Sequence, residues 1–224
     1  MKKFSFISVF AFIMIALTAS LAWADDATLD TGSNAWMLTA SALVLFMTPG
    51  LAFFYGGMSS VKNVLNMLMM SLACMAIISV QWIFWGYSLA FGPDIGHFFG
   101  SFSAAGLHGI TPGSLSGSIS EYTFVMFQMT FAIITPALIS GTAEGRMKFS
   151  TWLIFVPLWA TFVYDPICHW VWHADGWAFG MGILDFAGGT VFHITSAAAA
   201  LAVCIMIGKR KTSNIKPPCN LPMV

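Results

Sequence analysis

The sequence predicts an all-α fold: a polytopic membrane helix bundle with five transmembrane helices following an N-terminal signal peptide. Three observations predict it. The 224 residues are 58% hydrophobic and only 8% charged, against about 25% charged in soluble domains, too few polar groups to cover a globular surface. Five apolar segments are each long enough to cross a ~30 Å hydrocarbon core, which takes about 20 helical residues. Beyond the first three residues, every Lys and Arg falls in alternate connections between those segments.

The N-terminus reads "MKKFSFISVFAFIMIALTASLAWADD". Lys2 and Lys3 precede an apolar stretch of intermediate length, then the small-residue pattern A-W-A, then Asp25 and Asp26. This is the form of a bacterial secretory signal peptide, residues 1–24, cleaved after Ala24; an uncleaved first span is the alternative. Residues 25–224 then form one membrane domain, with spans at about 35–57, 64–91, 122–143, 149–172 and 185–207. Lipid leaves open strand edges without partners, and no segment alternates as a barrel strand does, so the spans are helices.

The connections set direction. Lys62 lies between spans one and two, Arg146 and Lys148 between three and four, and Lys209, Arg210, Lys211 and Lys216 after span five. The connections 92–121 and 173–184 hold no Lys or Arg. The positive-inside bias therefore predicts a multi-pass protein of the inner (plasma) membrane, N-terminus periplasmic and C-terminus cytoplasmic. Nine basic residues balance nine acidic ones, and no nucleic-acid partner is indicated.

The long outer connection, "GPDIGHFFGSFSAAGLHGITPGSLSGSISE", is rich in Gly and Ser, expected as a cap ordered by turns or as a mobile loop. His97 and His108 are read there as solvated. Trp82, Trp85, Trp170, Trp172 and Trp177 fall where an interfacial belt would be. Cys74, Cys168, Cys204 and Cys219 lack metal or disulfide spacing and are read as small apolar residues.

Ionisable groups at membrane depth are costly and mark functional positions by default. Three stand out. His193, eight residues after Asp185, reaches the midplane if Asp185 starts the helix. A neutral imidazole there donates through one nitrogen and accepts through the other, which suits a pore wall or a packing bond to a neighbouring helix. Asp185 reads as a helix cap that also favours a cation outside. Gly188, Gly189 and the alanines of 197–202 make span five small enough to sit centrally in the bundle. Asp165, before Pro166, either caps a helix break or bonds a neighbouring span. His169 and His173, four apart, have a metal-compatible spacing but no evident third ligand; no metal or cofactor is assigned. Phe127 and Phe131, four apart, share a helix face. With Trp172 they could attract a cation or simply pack.

Several of these segments together resemble one family. "LFMTPGLAFFYGGM" followed by "KNVLNMLMM", "FQMTFAIITPALISGTAEGRMKFS" and "LDFAGGTVFHI" are similar to the first, third and fifth spans of the ammonium transporters (Amt/Mep/Rh). The resemblance runs from about residue 34 to 224. It implies a transporter, not an enzyme, that takes ammonium or ammonia, with methylammonium as analogue. It places Phe127 in the recruitment region, Phe131 at the outer gate, Trp172 at a cation–π site and Asp185 as its support. His193 matches the first of two pore histidines. It also implies a homotrimer when full length and a cytoplasmic regulatory partner of the PII type; some members are instead sensors. The family fold is two inverted five-span repeats, so this chain resembles the first half, with the second histidine in the other. Such a fragment is expected to be inactive alone.

Overall fold

The computed structural model describes residues 28–210. The predicted signal peptide, Lys211, Lys216 and Cys219 lie outside the described residues. Five helices are long and apolar enough to cross a membrane: Thr31–Met58, Val64–Phe91, Glu121–Ala143, Phe149–Gly180 and Gly189–Ile207. Among the described residues the only strands are two short antiparallel hairpins, Asp94–Ile95 with Phe99–Gly100 and Leu115–Ser116 with Ile119–Ser120. The five-span reading holds. The protein is a helical, multi-pass membrane bundle.

Span one starts earlier than its apolar run suggests. Asp30 accepts hydrogen bonds from the Gly32 and Ser33 amides at 3.0 and 3.2 Å, satisfying donors that every helix start leaves free. Span three is the hub. It packs on spans one, two and five, and 67% of its most apolar window is buried, against 17% for span one. Thr130, Thr135 and Ser140 all point inward, but each hydroxyl donates to a carbonyl of its own helix. Thr135 does so next to Pro136, which has no N–H to give.

Three spans contain a π-helical turn: Trp82–Gly86 in span two, Ala160–Tyr164 in span four and Gly189–Ile194 in span five. Each inserts one residue beyond α-helical winding. Two of them are tied together. Gln81 donates to Asp165 Oδ2 at 2.7 Å and to Thr161 Oγ1 at 3.2 Å, and the Trp85 indole donates to the same hydroxyl at 2.8 Å. Asp165 is fully buried, so of its two readings the bond to a neighbouring span is the one realised. Gly86 makes room: a Cβ there would lie 2.8 Å from both polar atoms of the Gln81 amide.

One expectation is corrected. Trp82 is no interfacial anchor; it is fully buried and donates to the Val125 carbonyl, because an indole N–H at depth needs an acceptor. Span five is covered on one side only among the described residues. Ala197, Ala198, Leu201 and Ile205 are exposed. Small side chains permit a close neighbour, but no described element covers that face.

The bundle's two ends differ in construction. At the basic end Arg210 pairs with Glu144 at 3.2 Å and donates to the Gly141 carbonyl, while Arg146 donates to the Gly208 carbonyl. These bonds tie the turn after span three to the end of span five. At the other end residues 92–120 form an ordered cap of the two hairpins and a 3-10 segment, Phe102–Leu107.

Candidate functional site

The site is built at the cap end, where spans three and four deliver aromatic side chains beside the start of span five. Phe127 and Phe131 lie on one face of span three, ring centroids 5.1 Å apart and edge-to-face. Trp172, the last residue of the helix Asp165–Trp172, meets Phe131 at 5.8 Å, again edge-on. Phe192 lies against Phe131 from the other side at 5.5 Å. A cleft of about 290 Å³ opens above, lined by Phe124, Phe127, Phe131, Trp172, Asp185 and Phe186 among others.

Asp185 organises the entrance. Its carboxylate accepts from the backbone N–H groups of Gly189, Thr190 and Val191 at 2.7, 2.8 and 3.0 Å, and its backbone carbonyl accepts from the Trp172 indole at 2.7 Å. One residue therefore both satisfies the first turn of span five and fixes the aromatic next to it. The geometry differs from the expected cap. Asp185 does not begin the helix; span five begins at Gly189, and Gly188 before it takes φ +74°, a conformation that favours glycine. His193 consequently lies in the first, π-helical turn and not two turns down. The close neighbour that Gly188 admits is the Phe192 ring: a Cβ would sit 1.9 Å from its Cδ1.

His193 adjoins Phe192, ring centroids 4.0 Å apart. It is exposed and opens onto a second groove of about 320 Å³, lined by Met47, Gly50, Phe54, Leu138 and Phe192. Phe131 and Phe192, their rings tilted by 37°, thus stand between an upper aromatic cleft and a lower apolar groove with one imidazole in its wall. Phe127, Phe131, Trp172 and Asp185 line the upper cleft, and His193 lines the lower groove.

Sequence reasoning missed two participants. Phe192 carries no polar signal, and only its place beside His193 hints at it. Gln128, buried on the same span, lines the cleft and has no hydrogen-bond partner for Oε1; an amide at membrane depth was the available signal. His169 and His173 stack at 4.4 Å and do not converge on a common ligand. Among the described residues no group of three or more His, Cys, Asp or Glu could hold a metal. His97 is not a free loop side chain: its Nδ1 lies 2.6 Å from the Asp175 carbonyl.

A sequence profile described as the Ammonium Transporter Family matches residues 35–223. An ammonium transporter of Aquifex aeolicus is 47% identical over 217 residues, covering 95% of this chain and 50% of that protein. One from Bacillus subtilis is 47% identical over 195 residues, 86% and 48% of the two chains. The crystal structure of Candida albicans Mep2 superposes with TM-score 0.75 at 34% identity, covering 81% of this chain and 40% of that one. A structure titled Sensor Amt Protein gives TM-score 0.77 at 26% identity, covering 85% and 49%. The chain spans about half the length of the curated relatives it matches. With its five spans and aromatic–histidine constellation, the chain belongs to the Ammonium Transporter Family.

Proposed function

We propose that this chain forms the recruiting mouth and one wall of a transmembrane pathway for ammonium and ammonia. The observation that carries the reading is the stack Phe127–Phe131–Trp172 above Phe192 and His193. Aromatic faces attract a cation through their quadrupole, more strongly once it is desolvated. The carboxylate of Asp185 adds negative charge at the same mouth, and the backbone carbonyl of that residue holds Trp172 in place. Below the Phe131–Phe192 pair the walls are apolar, where a bare ion pays a heavy desolvation cost and a neutral ammonia does not. A neutral His193 offers that molecule a hydrogen-bond donor or acceptor. Phe127, Phe131, Trp172 and Asp185 are then the substrate-binding residues and His193 the pore residue.

In this reading the cap end faces the periplasm and the Arg146–Arg210 end the cytoplasm of an inner membrane, as the charge bias supports. The whole assembly is a homotrimer, each pathway completed by a second five-span half, with a regulatory protein of the PII type docking on the cytoplasmic side. The test is uptake of labelled methylammonium by cells co-expressing this chain with such a half. Uptake should be lost in Phe131→Ala and His193→Ala; uptake unchanged in both would reject the pathway. A sensory role is the second reading, favoured by the likeness to the Sensor Amt Protein. It predicts methylammonium binding without net flux.

A further inference from the structure

Asp94, at the root of the cap, joins the cap to span four. Its carboxylate accepts from the His97 backbone N–H, at 2.9 Å to Oδ1 and 3.0 Å to Oδ2, and lies 2.9 Å from His169 Nε2. His169 is fully buried in span four. Its other nitrogen, Nδ1, lies 2.9 Å from the backbone carbonyl of Ala90. A backbone carbonyl only accepts, and so does a carboxylate, whereas a neutral imidazole donates from one nitrogen only. The ring that fits both partners donates from both nitrogens and is cationic.

The neighbouring groups agree with that assignment. His173 stacks on His169 with an interplanar angle of 17°, and its Nδ1 accepts from the Asp175 amide, so that nitrogen is bare and the second ring is neutral. His97 faces the cluster with Nδ1 on the Asp175 carbonyl, 3.6 Å from Asp94 Oδ2, and it is held at φ +66°, an uncommon conformation for a residue with a Cβ. The Asp175 carboxylate stands 3.9 Å from His173 Nδ1. Asp94, His97, His173 and Asp175 are thus the titratable groups around His169, and the one full charge pair among them joins the cap to span four one turn before Trp172.

We propose that Asp94 and His169 form an imidazolium–carboxylate clamp that docks the 92–120 cap onto span four and positions Trp172, making both of them positioning residues of the aromatic mouth. A charge-assisted bond at a buried site is stronger than a neutral one, and losing either partner leaves the other buried and unpaired. Only the ligand arm of the test below rests on the ammonium reading.

The experiment uses the full 224-residue chain in lipid nanodiscs with ¹⁵N-labelled histidine and tryptophan, His169 and Trp172 being assigned from His169→Gln and Trp172→Phe. Near neutral pH both ring nitrogens of His169 should carry protons; one bare nitrogen overturns the clamp. Asp94→Asn should leave His169 singly protonated and displace the Trp172 indole N–H signal, and Asp94→Glu should restore both. A folded Asp94→Asn chain with an unmoved Trp172 signal overturns the positioning role. Should Asp94→Asn not fold, the wild-type titration decides: the Trp172 signal must move in step with loss of charge from the pair, and independent movement overturns the proposal. In the ligand arm, methylammonium should perturb the Trp172 signal, with affinity several-fold weaker in Asp94→Asn and recovered in Asp94→Glu. No perturbation in the wild type would count against ammonium recruitment, while the ligand-free signals still judge the clamp.

Discussion

Asp185 shows how one residue, through its side chain and its backbone, serves two ends of a site. Three amides converge on its carboxylate and one indole on its carbonyl. Replacing a helix-capping Asp by Ala typically costs about 0.5–2 kcal/mol, and Asp185→Ala should reach the upper part of that range because three donors lose their acceptor. Thermal unfolding in detergent would measure it, and the Trp172 indole signal should broaden in the same variant. Gly188→Ala should be worse. It combines left-handed strain of roughly 1–2 kcal/mol with a collision against Phe192, so the ring must leave Phe131; a folded variant with an intact Phe131–Phe192 contact in a crystal structure would refute this. Asp185 and His193 were legible in the sequence, since both interrupt an apolar run, whereas the polar Gln128 was not. Phe192 and Gly188 were not, because their roles arise from contact with each other.

At the scale of elements, the spans followed from hydropathy while their internal breaks did not. A π turn adds one residue without changing composition, so "VQWIFWGY" reads as uninterrupted helix, and in "WATFVYDP" only the Asp165–Pro166 pair hints at a break. The brace between spans two and four rests on those turns. Gln81→Leu leaves Asp165 buried without its donor and should cost about 1–3 kcal/mol; the double change Gln81→Leu with Asp165→Leu should cost less than the two single changes summed, a coupling that a double-mutant cycle of unfolding temperatures would read. The cap predicts a pH dependence. The Asp94 carboxyl is held below the usual carboxylate range, first by the His169 hydrogen bond and further by the His97 amide, against the raising effect of burial. A carboxyl lowered in the folded state contributes stability above its ordinary value of ~3.8–3.9, and loses it as pH falls through the lowered one. Cap docking should therefore persist at neutral pH and weaken below about pH 4. The Trp170 indole, which donates to the Phe98 carbonyl at 2.7 Å, is the reporter: its N–H signal should shift in that acid window and stay fixed from pH 5 to 7.

Across the whole molecule, burial is concentrated on span three, while the outward faces of spans one and five stay bare. The groove holding His193 is bounded by spans one, three and five on one side only. A wall open to lipid cannot exclude acyl chains, so the 224-residue chain expressed alone should show no methylammonium uptake; flux well above that of cells lacking it would contradict the half-pathway reading. The π turns bear on how this chain tolerates length change. Loss of a single codon within 160–164 would let that stretch relax to regular winding, with hydropathy and span length almost untouched. Because the turn already holds one residue more than α-helical winding needs, the residues beyond it would keep nearly their present direction and height, leaving Trp172 on the Phe131 edge. A deletion in the regular helix just before it, equally silent in any hydropathy plot, would instead have to be absorbed by that turn or swing Trp172 by about 100° and dismantle the mouth.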